Sequence, residues 1–231
     1  MAKAKDYRAR IAAKAKEWQM YVLVAGVIER PEVNEAILYD RNGQEVGRYR
    51  KIVSTYDAQI CGEETPILET DFGRLGVRIC ADEAHVEIDR CYGVKGADIL
   101  CTPTQSWGSD ALRRNLRDIS RAMDAGIFLV ECNSPSTEIR HRSVIIEPTG
   151  AIVAASHHHR ASIVSAVVDL DEDRPKRYIR EWTPHEPKGY LPQYQPTELP
   201  RVANDLRETI LRQRRPELYQ VLAPEPPGEE N

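Results

Sequence analysis

Thr70 to Asp82 reads TDFGRLGVRICAD. Asp71-Phe72-Gly73 is a turn signal, Leu75 to Ile79 is an apolar run of strand length, and Cys80 stands where the run stops and polar residues begin. A thiol at the carboxyl end of a buried strand is where α/β proteins hold a reactive group, because the sheet fixes its position while the following loop leaves it accessible. Free cysteine is also among the most buried residue types. The stretch alone leaves packing and chemistry both open.

Downstream, Val86 to Gly96 carries apolar residues at helical spacing and ends in glycine, ADILCTPT (97–104) is a buried strand, and 110–126 is a helix with Leu112, Leu116, Ile119 and Met123 on one face. IFLVECN (127–133) is a further strand. This alternation predicts right-handed crossovers and a largely parallel central sheet. The runs 141–156 and 161–171, with turns at Pro148-Thr149-Gly150 and His157-His158-His159, predict an antiparallel finish to it.

Upstream, residues 5–18 form an amphipathic helix pattern with Tyr7, Ile11, Ala12 and Trp18 on one side. MYVLVAGVIE (20–29) is a strand-length apolar run, and AILYDRNGQEVGRYRKIV (36–53) is two strands around the hairpin dipeptide Asn42-Gly43. The second of these strands delivers Lys51 near its end. Residues 174–200 are rich in proline and aromatics without periodicity and predict an extended arm. Ala203 to Arg214 predicts a charged helix, and 223–231 a disordered tail. The fold class is α/β, with a main domain over 1–200 and a C-terminal helix and arm over 201–222.

The chain has 231 residues, 41% hydrophobic and 29% charged, with net charge −4 and interleaved signs. That balance supports one sizeable core and excludes a polyanion-binding or membrane-directed basic face, so neither nucleic acid nor a membrane is an expected partner. No apolar run reaches bilayer length, and the charged start carries no signal-peptide core, which sets the expected location as cytoplasmic. The five cysteines (61, 80, 91, 101, 132) lack paired C-x-x-C spacing, so free thiols are expected, without a disulfide framework or structural zinc. The sequence ADEAH (81–85) has no upstream phosphate-binding loop to support an ATPase. Consecutive histidines at 157–159 in a turn would point in different directions, and no carboxylate or thiol spacing accompanies them, so a solvated turn is expected there ahead of a metal site.

In order along the chain, Asn34 with NGQEVGRYRK (42–51), DFGRLGVRICAD (71–82), KGADILCTP (95–103), FLVECN (128–133), RSVIIEPTGAIVA (142–154) and RRPELY (214–219) resemble the nitrilase superfamily, the carbon-nitrogen hydrolases. The resemblance implies a four-layer α-β-β-α sandwich, N-terminally incomplete here. It also implies a Glu-Lys-Cys triad that hydrolyses non-peptide carbon-nitrogen bonds, with no cofactor and no metal. Cys80 matches the nucleophile and Lys51 the lysine; the backbone N–H of Ala81 is the expected oxyanion donor.

The family's glutamate lies on a strand ahead of the helix that opens this chain. None of Glu17, Glu29 and Glu35 is therefore carried over. Asp57, Glu63 and Glu64 lie where the family often has a further acid, and Asp82, Glu83, His85 and Trp107 are candidate pocket residues. The expected partner is a small-molecule amide or nitrile, and the expected assembly is a homodimer or larger homo-oligomer. A catalytically silent protein of the same fold is the alternative.

Overall fold

The computed structural model describes residues 2–26, 32–53, 60–105, 111–134, 142–156, 161–170, 176–178, 203–205 and 215–219. The chain divides into two units, Met1–Pro175 and Lys176–Asn231.

The first unit begins with helix α1 (Ala2–Trp18) and a three-stranded antiparallel sheet, β1 (Val22–Gly26), β2 (Glu35–Tyr39) and β3 (Glu45–Arg50), in the order β1-β2-β3. The strand β2 is central and buried along its whole length, so its alternate side chains serve two layers. Ile37 and Tyr39 meet Ala15, Ile11 and Ala12 of α1, while Ala36 and Leu38 point the other way. The β2–β3 hairpin turns at Gly43, whose φ of 76° requires glycine. A Cβ there would also lie 2.3 Å from the Ala12 carbonyl oxygen, so the glycine lets the hairpin sit against α1.

The second sheet has the order β4-β5-β6-β7-β8-β9, from β4 (Leu68–Glu69), β5 (Arg74–Val77), β6 (Ile99–Thr104), β7 (Phe128–Asn133), β8 (Val144–Ile146) and β9 (Ile152–Ala155). Strands β5, β6 and β7 are parallel, linked through helices α2 (Val86–Lys95) and α3 (Ala111–Ala125); β4, β8 and β9 run antiparallel to their neighbours. Ala36, Leu38 and Tyr49 of the first sheet pack on Leu68, Leu75, Val77 and Ile79, forming the core between the sheets. On the far face, Ile88 and Tyr92 of α2 and Ala122 and Ala125 of α3 cover Leu100, Leu129, Val144 and Ile146. The layers are therefore α-β-β-α. Gly76 admits α2 closely: a Cβ there would fall 2.5 Å from the Tyr92 ring, whose hydroxyl donates to the Val77 carbonyl at 2.6 Å.

Three expectations change. Residues 161–170 have the alternating burial of a strand but no ladder among the described residues, and they leave Ile163 and Val167 95% and 101% exposed. Period-2 patterning makes an extended segment, but only a neighbouring backbone makes a strand. In α3, Ile119 packs on the core as its spacing predicts, but Leu116 and Met123 are exposed, whereas Asp118, Ala122 and Ala125 face inward. The second unit contains β10 (Lys176–Tyr178) paired antiparallel with β11 (Ala203–Asp205), and a 3-10 turn at Pro216–Leu218. Residues 203–205 thus form a strand where a helix is predicted: three residues on each side are too few for either period to be legible.

Candidate active site

The main chain between β5 and α2 turns sharply at Cys80. Ile79 is still extended, and Cys80 takes φ 49°, opening a short 3-10 helix, Cys80–Ala84. A left-handed backbone at a residue with a side chain is uncommon and costs on the order of 1–3 kcal/mol, held only where the surroundings over-determine it. Such a strand-to-helix turn presents a side chain at the carboxyl edge of the sheet. Cys80 is half-buried, against the core between the sheets.

Lys51 arrives from the other sheet. It follows β3 directly, and its backbone is fixed on both sides: its N–H donates to the Asn34 carbonyl at 2.9 Å, and its carbonyl accepts from Gly62 at 2.8 Å. The side chain is 3% exposed; its ammonium donates to the Val53 carbonyl and lies 3.6 Å from Asp82 Oδ1. Tyr49, two residues earlier and so on the same face, donates its hydroxyl to Asp82 Oδ2 at 2.7 Å. Asp82 Oδ2 also accepts the Ile79 N–H at 2.8 Å, and Oδ1 the Val53 N–H at 2.8 Å. A fully enclosed carboxylate thus ties the strand before Cys80, the loop after Lys51 and the end of β3 to one point. Burial, and then the negative charge of Asp82, push the Tyr49 phenol far above its ordinary value, so it stays a donor.

Behind the sheet lies a second charged group. Arg78 is completely buried; its Nε donates to Thr102 Oγ1 at 2.9 Å, and its two terminal nitrogens donate to Asp89 Oδ2 at 2.5 Å and Asp118 Oδ1 at 2.7 Å. Burial opposes the guanidinium charge, but Asp89, Asp118, Glu131 and Glu83 together outweigh it and hold its pKa above the ordinary value. Arg121 pairs with Asp89 at 3.2 Å, and Arg117 with Glu83 at 3.3 Å. Glu83, Asp118 and Glu131 bring carboxylate oxygens within 4.8 Å of one another, the one such cluster among the described residues. The positive charge among them is supplied by guanidinium groups.

The structure therefore brings Lys51 to Asp82, on the turn that Cys80 and Ala81 open. It places Asp82 and Glu83 in the interior, at 0% and 2% exposure, and His85 in solvent at the head of α2. Glu63 and Glu64 are exposed. Asp57, Trp107 and the histidines at 157–159 lie outside the described residues. Sequence reasoning missed Tyr49 and Arg78. Both had a signal: Tyr49 shares the face of Lys51, and Arg78 is a charge inside the apolar run that ends at Cys80.

The family model described as carbon-nitrogen hydrolase matches residues 3–178. The chain belongs to the carbon-nitrogen hydrolase family. Among curated relatives of this hydrolase-family chain, a probable nitrilase of Schizosaccharomyces pombe is 33% identical over 169 residues, covering 67% of the chain and 62% of the relative. A bifunctional nitrilase/nitrile hydratase of Nicotiana tabacum is 27% identical over 194 residues, covering 71% and 55%. The chain thus spans about three fifths of the length of these relatives. A crystal structure of an amidase from Nesterenkonia sp. superposes with a TM-score of 0.66 at 21% identity, covering 76% of the chain and 71% of the amidase, which shows a shared fold. A mutant of that amidase, described as showing covalent addition of the acetamide moiety of fluoroacetamide at the active site cysteine, superposes at 0.65 with 22% identity, covering 76% and 72%.

Proposed function

We propose that this chain carries a thiol hydrolase site for non-peptide carbon-nitrogen bonds, in an amide or carbamoyl compound ahead of a nitrile. The observation that carries the reading is the left-handed turn at Cys80, whose Asp82, two residues on, faces a buried lysine at 3.6 Å. The Cys80 sulfur attacks the carbonyl carbon, and the oxygen takes up negative charge. The Ala81 N–H and the Lys51 ammonium stabilise that oxyanion, a contribution of about 3 kcal/mol per donor. One ammonium hydrogen is directed to the Val53 carbonyl, and the Asp82 carboxylate 3.6 Å away supplies the counter-charge, so the ammonium is fixed in place with donors to spare. The carbon-nitrogen bond then breaks, the amine leaves with a proton, and water cleaves the thioester to release the acid and the thiol.

Removing the protons of the thiol and of the water needs a base. Asp82 already accepts three hydrogen bonds and faces Lys51, so the reading assigns the base to no described residue. The same observation favours a second reading, a catalytically silent protein of this fold. Turnover of simple amides and trapping of an acyl adduct separate the two. The hydrolase predicts an adduct on Cys80 by peptide mass spectrometry, abolished turnover in Lys51→Ala, and released ammonia or amine. An adduct on another cysteine, or full turnover in Lys51→Ala, would overturn the assignment. The reading includes a homodimer or larger homo-oligomer, supported by the exposed apolar side chains of Ile163 and Val167; a monomeric mass by light scattering would remove that part.

A further inference from the structure

The strained turn at Cys80 is flanked on both sides by buried charges. Asp82 holds it from the core between the sheets. Arg78, two residues before the thiol, holds it from the helix side. Strand alternation separates the two: Leu75, Val77 and Ile79 belong to the inter-sheet core, and Arg78 points the opposite way, toward α2 and α3.

The partners of Arg78 come from each element packed on that face. They are Asp89 of α2, Asp118 of α3, Thr102 of β6 and, by charge, Glu131 of β7 and Glu83 of the 3-10 turn itself. Arg117 and Arg121 of α3 close the group on Glu83 and Asp89, and Tyr92 of α2 lies within reach of the Asp89 charge. Glu83 is three residues beyond Cys80 and Arg78 two before it. The cluster therefore grips both ends of the turn. Among the described residues it carries four carboxylates against three guanidiniums, so its charge state is sensitive to one proton.

We propose that the Arg78 cluster is the positioning device for the Cys80 thiol: Arg78 and Glu83 clamp the two ends of the strained turn, and the clamp is tightest with all four carboxylates ionised. This rests on Cys80 being the nucleophile but not on turnover. Arg78 is a positioning residue that does not meet substrate. Burial pushes the Asp89 carboxyl up to about 6, against the pull of Arg78 and Arg121, so as pH rises through that value Asp89 ionises and its bond to Arg78 becomes an ion pair that grips the turn, at a desolvation cost to the fold as a whole.

The test is the rate of iodoacetamide alkylation of Cys80 in the full chain, read by peptide mass spectrometry between pH 5 and 8. N-acetylcysteine in the same tube serves as the reference thiol, and a thermal melt as the folding control. The expected wild-type ratio rises between pH 5 and 7, and Asp89→Asn flattens that rise. Arg78→Met lowers the ratio at least tenfold, and Arg78→Lys restores part of it. A folded Arg78→Met chain with an unchanged ratio, or a rise that persists in Asp89→Asn, overturns the proposal. If Arg78→Met fails to melt cooperatively, Asp118→Asn decides, since it leaves Arg78 its bonds to Asp89 and Thr102. A lowered ratio there supports the clamp, and an unchanged one overturns it. A missing acyl adduct with amides would remove the hydrolase assignment while leaving the alkylation ratio as expected.

Discussion

Asp82→Asn is a near-isosteric change that tests the junction joining the two sheets at the site. The carboxylate accepts from Tyr49, Ile79 and Val53 at 2.7, 2.8 and 2.8 Å and faces the Lys51 ammonium at 3.6 Å, with no exposure. An amide keeps the shape but turns one acceptor into an NH₂. Whichever way it flips, that NH₂ meets donors: Tyr49 and Ile79 on one side, or Val53 and Lys51 on the other. It also leaves the buried ammonium without its counter-charge. Hydrogen bonds to a charged group are worth roughly 1.5–3 kcal/mol each. Breaking a buried pair by removing one partner costs roughly 3–5 kcal/mol.

The expected loss is therefore about 3–5 kcal/mol, a large part of a total stability of roughly 5–15 kcal/mol. For a unit of this size it corresponds to a fall of about 10 °C or more in Tm. Urea denaturation followed by circular dichroism measures it. Combining the change with Lys51→Met in a double-mutant cycle isolates the pair, and a coupling of 1 kcal/mol or more is expected. An Asp82→Asn loss below about 1 kcal/mol, with m unchanged, would refute the account of Asp82 as the junction.

Two further predictions concern the helix side of the second sheet. The folded pKa of Asp89 is raised to about 6 from about 4, so its protonated form is favoured by folding. The stability it contributes is full below pH 4 and is lost as pH rises through 6, a cost on the order of 3 kcal/mol. Urea midpoints for Asp89→Asn between pH 4.5 and 7.5 should lack that decline, and a slope equal to the parent's would contradict it. Gly76→Ala places a methyl group 2.5 Å from the Tyr92 ring, which is fully buried and bonded to Val77; the expected cost is about 1–3 kcal/mol, read from the same midpoints, and a neutral change would show that α2 can shift.

The layers were legible because their signals are local. The Asn42-Gly43 hairpin, the Gly96 stop of α2 and the extended run through β5 that stops at Cys80 each follow from a few residues with one dominant preference. What was not legible depends on partners distant in sequence. The sequence puts Leu112, Leu116, Ile119 and Met123 on one face of α3; Ile119 does pack on the core, yet the helix leaves Leu116 and Met123 exposed and turns Asp118 inward to reach Arg78, 40 residues away. Alanines at 122 and 125 fill the remaining space. Two ionic partners outweighed an apolar stripe, which no helical period can reveal. Trp18 was placed on the apolar face of α1 and is 63% exposed, its ring taking a Lys14 ammonium 5.2 Å from the centroid. At the site, the strand-end positions of Cys80 and Lys51 leave core packing and an edge charge open, and the family resemblance is what singles the two out, whereas Asp82 reads as a pocket acid beside the cysteine. Its role as a junction comes from Tyr49, 33 residues earlier, and Val53, 29 residues earlier.

The geometry also argues that Lys51 is needed for its shape as well as its charge. The left-handed turn at Cys80 costs about 1–3 kcal/mol. The bond from Ile79 to Asp82 is alone worth about 1.5–3 kcal/mol, before Arg78 is counted. The turn is thus held in place before any substrate arrives, and its partner must fit a site already formed. An ammonium reaches the Val53 carbonyl and Asp82 Oδ1 from a side chain that is 3% exposed, with Tyr49 filling the other oxygen. A guanidinium is planar and larger, with five donors in a rigid fork, and Asp82 has no second oxygen to offer it. Lys51→Arg keeps the positive charge but should form the Cys80 acyl adduct as poorly as Lys51→Ala, at least a hundredfold slower than the parent chain in timed mass spectrometry. Adduct formation within threefold of the parent would show that charge alone suffices and that the fixed position of the ammonium is not what the chemistry uses.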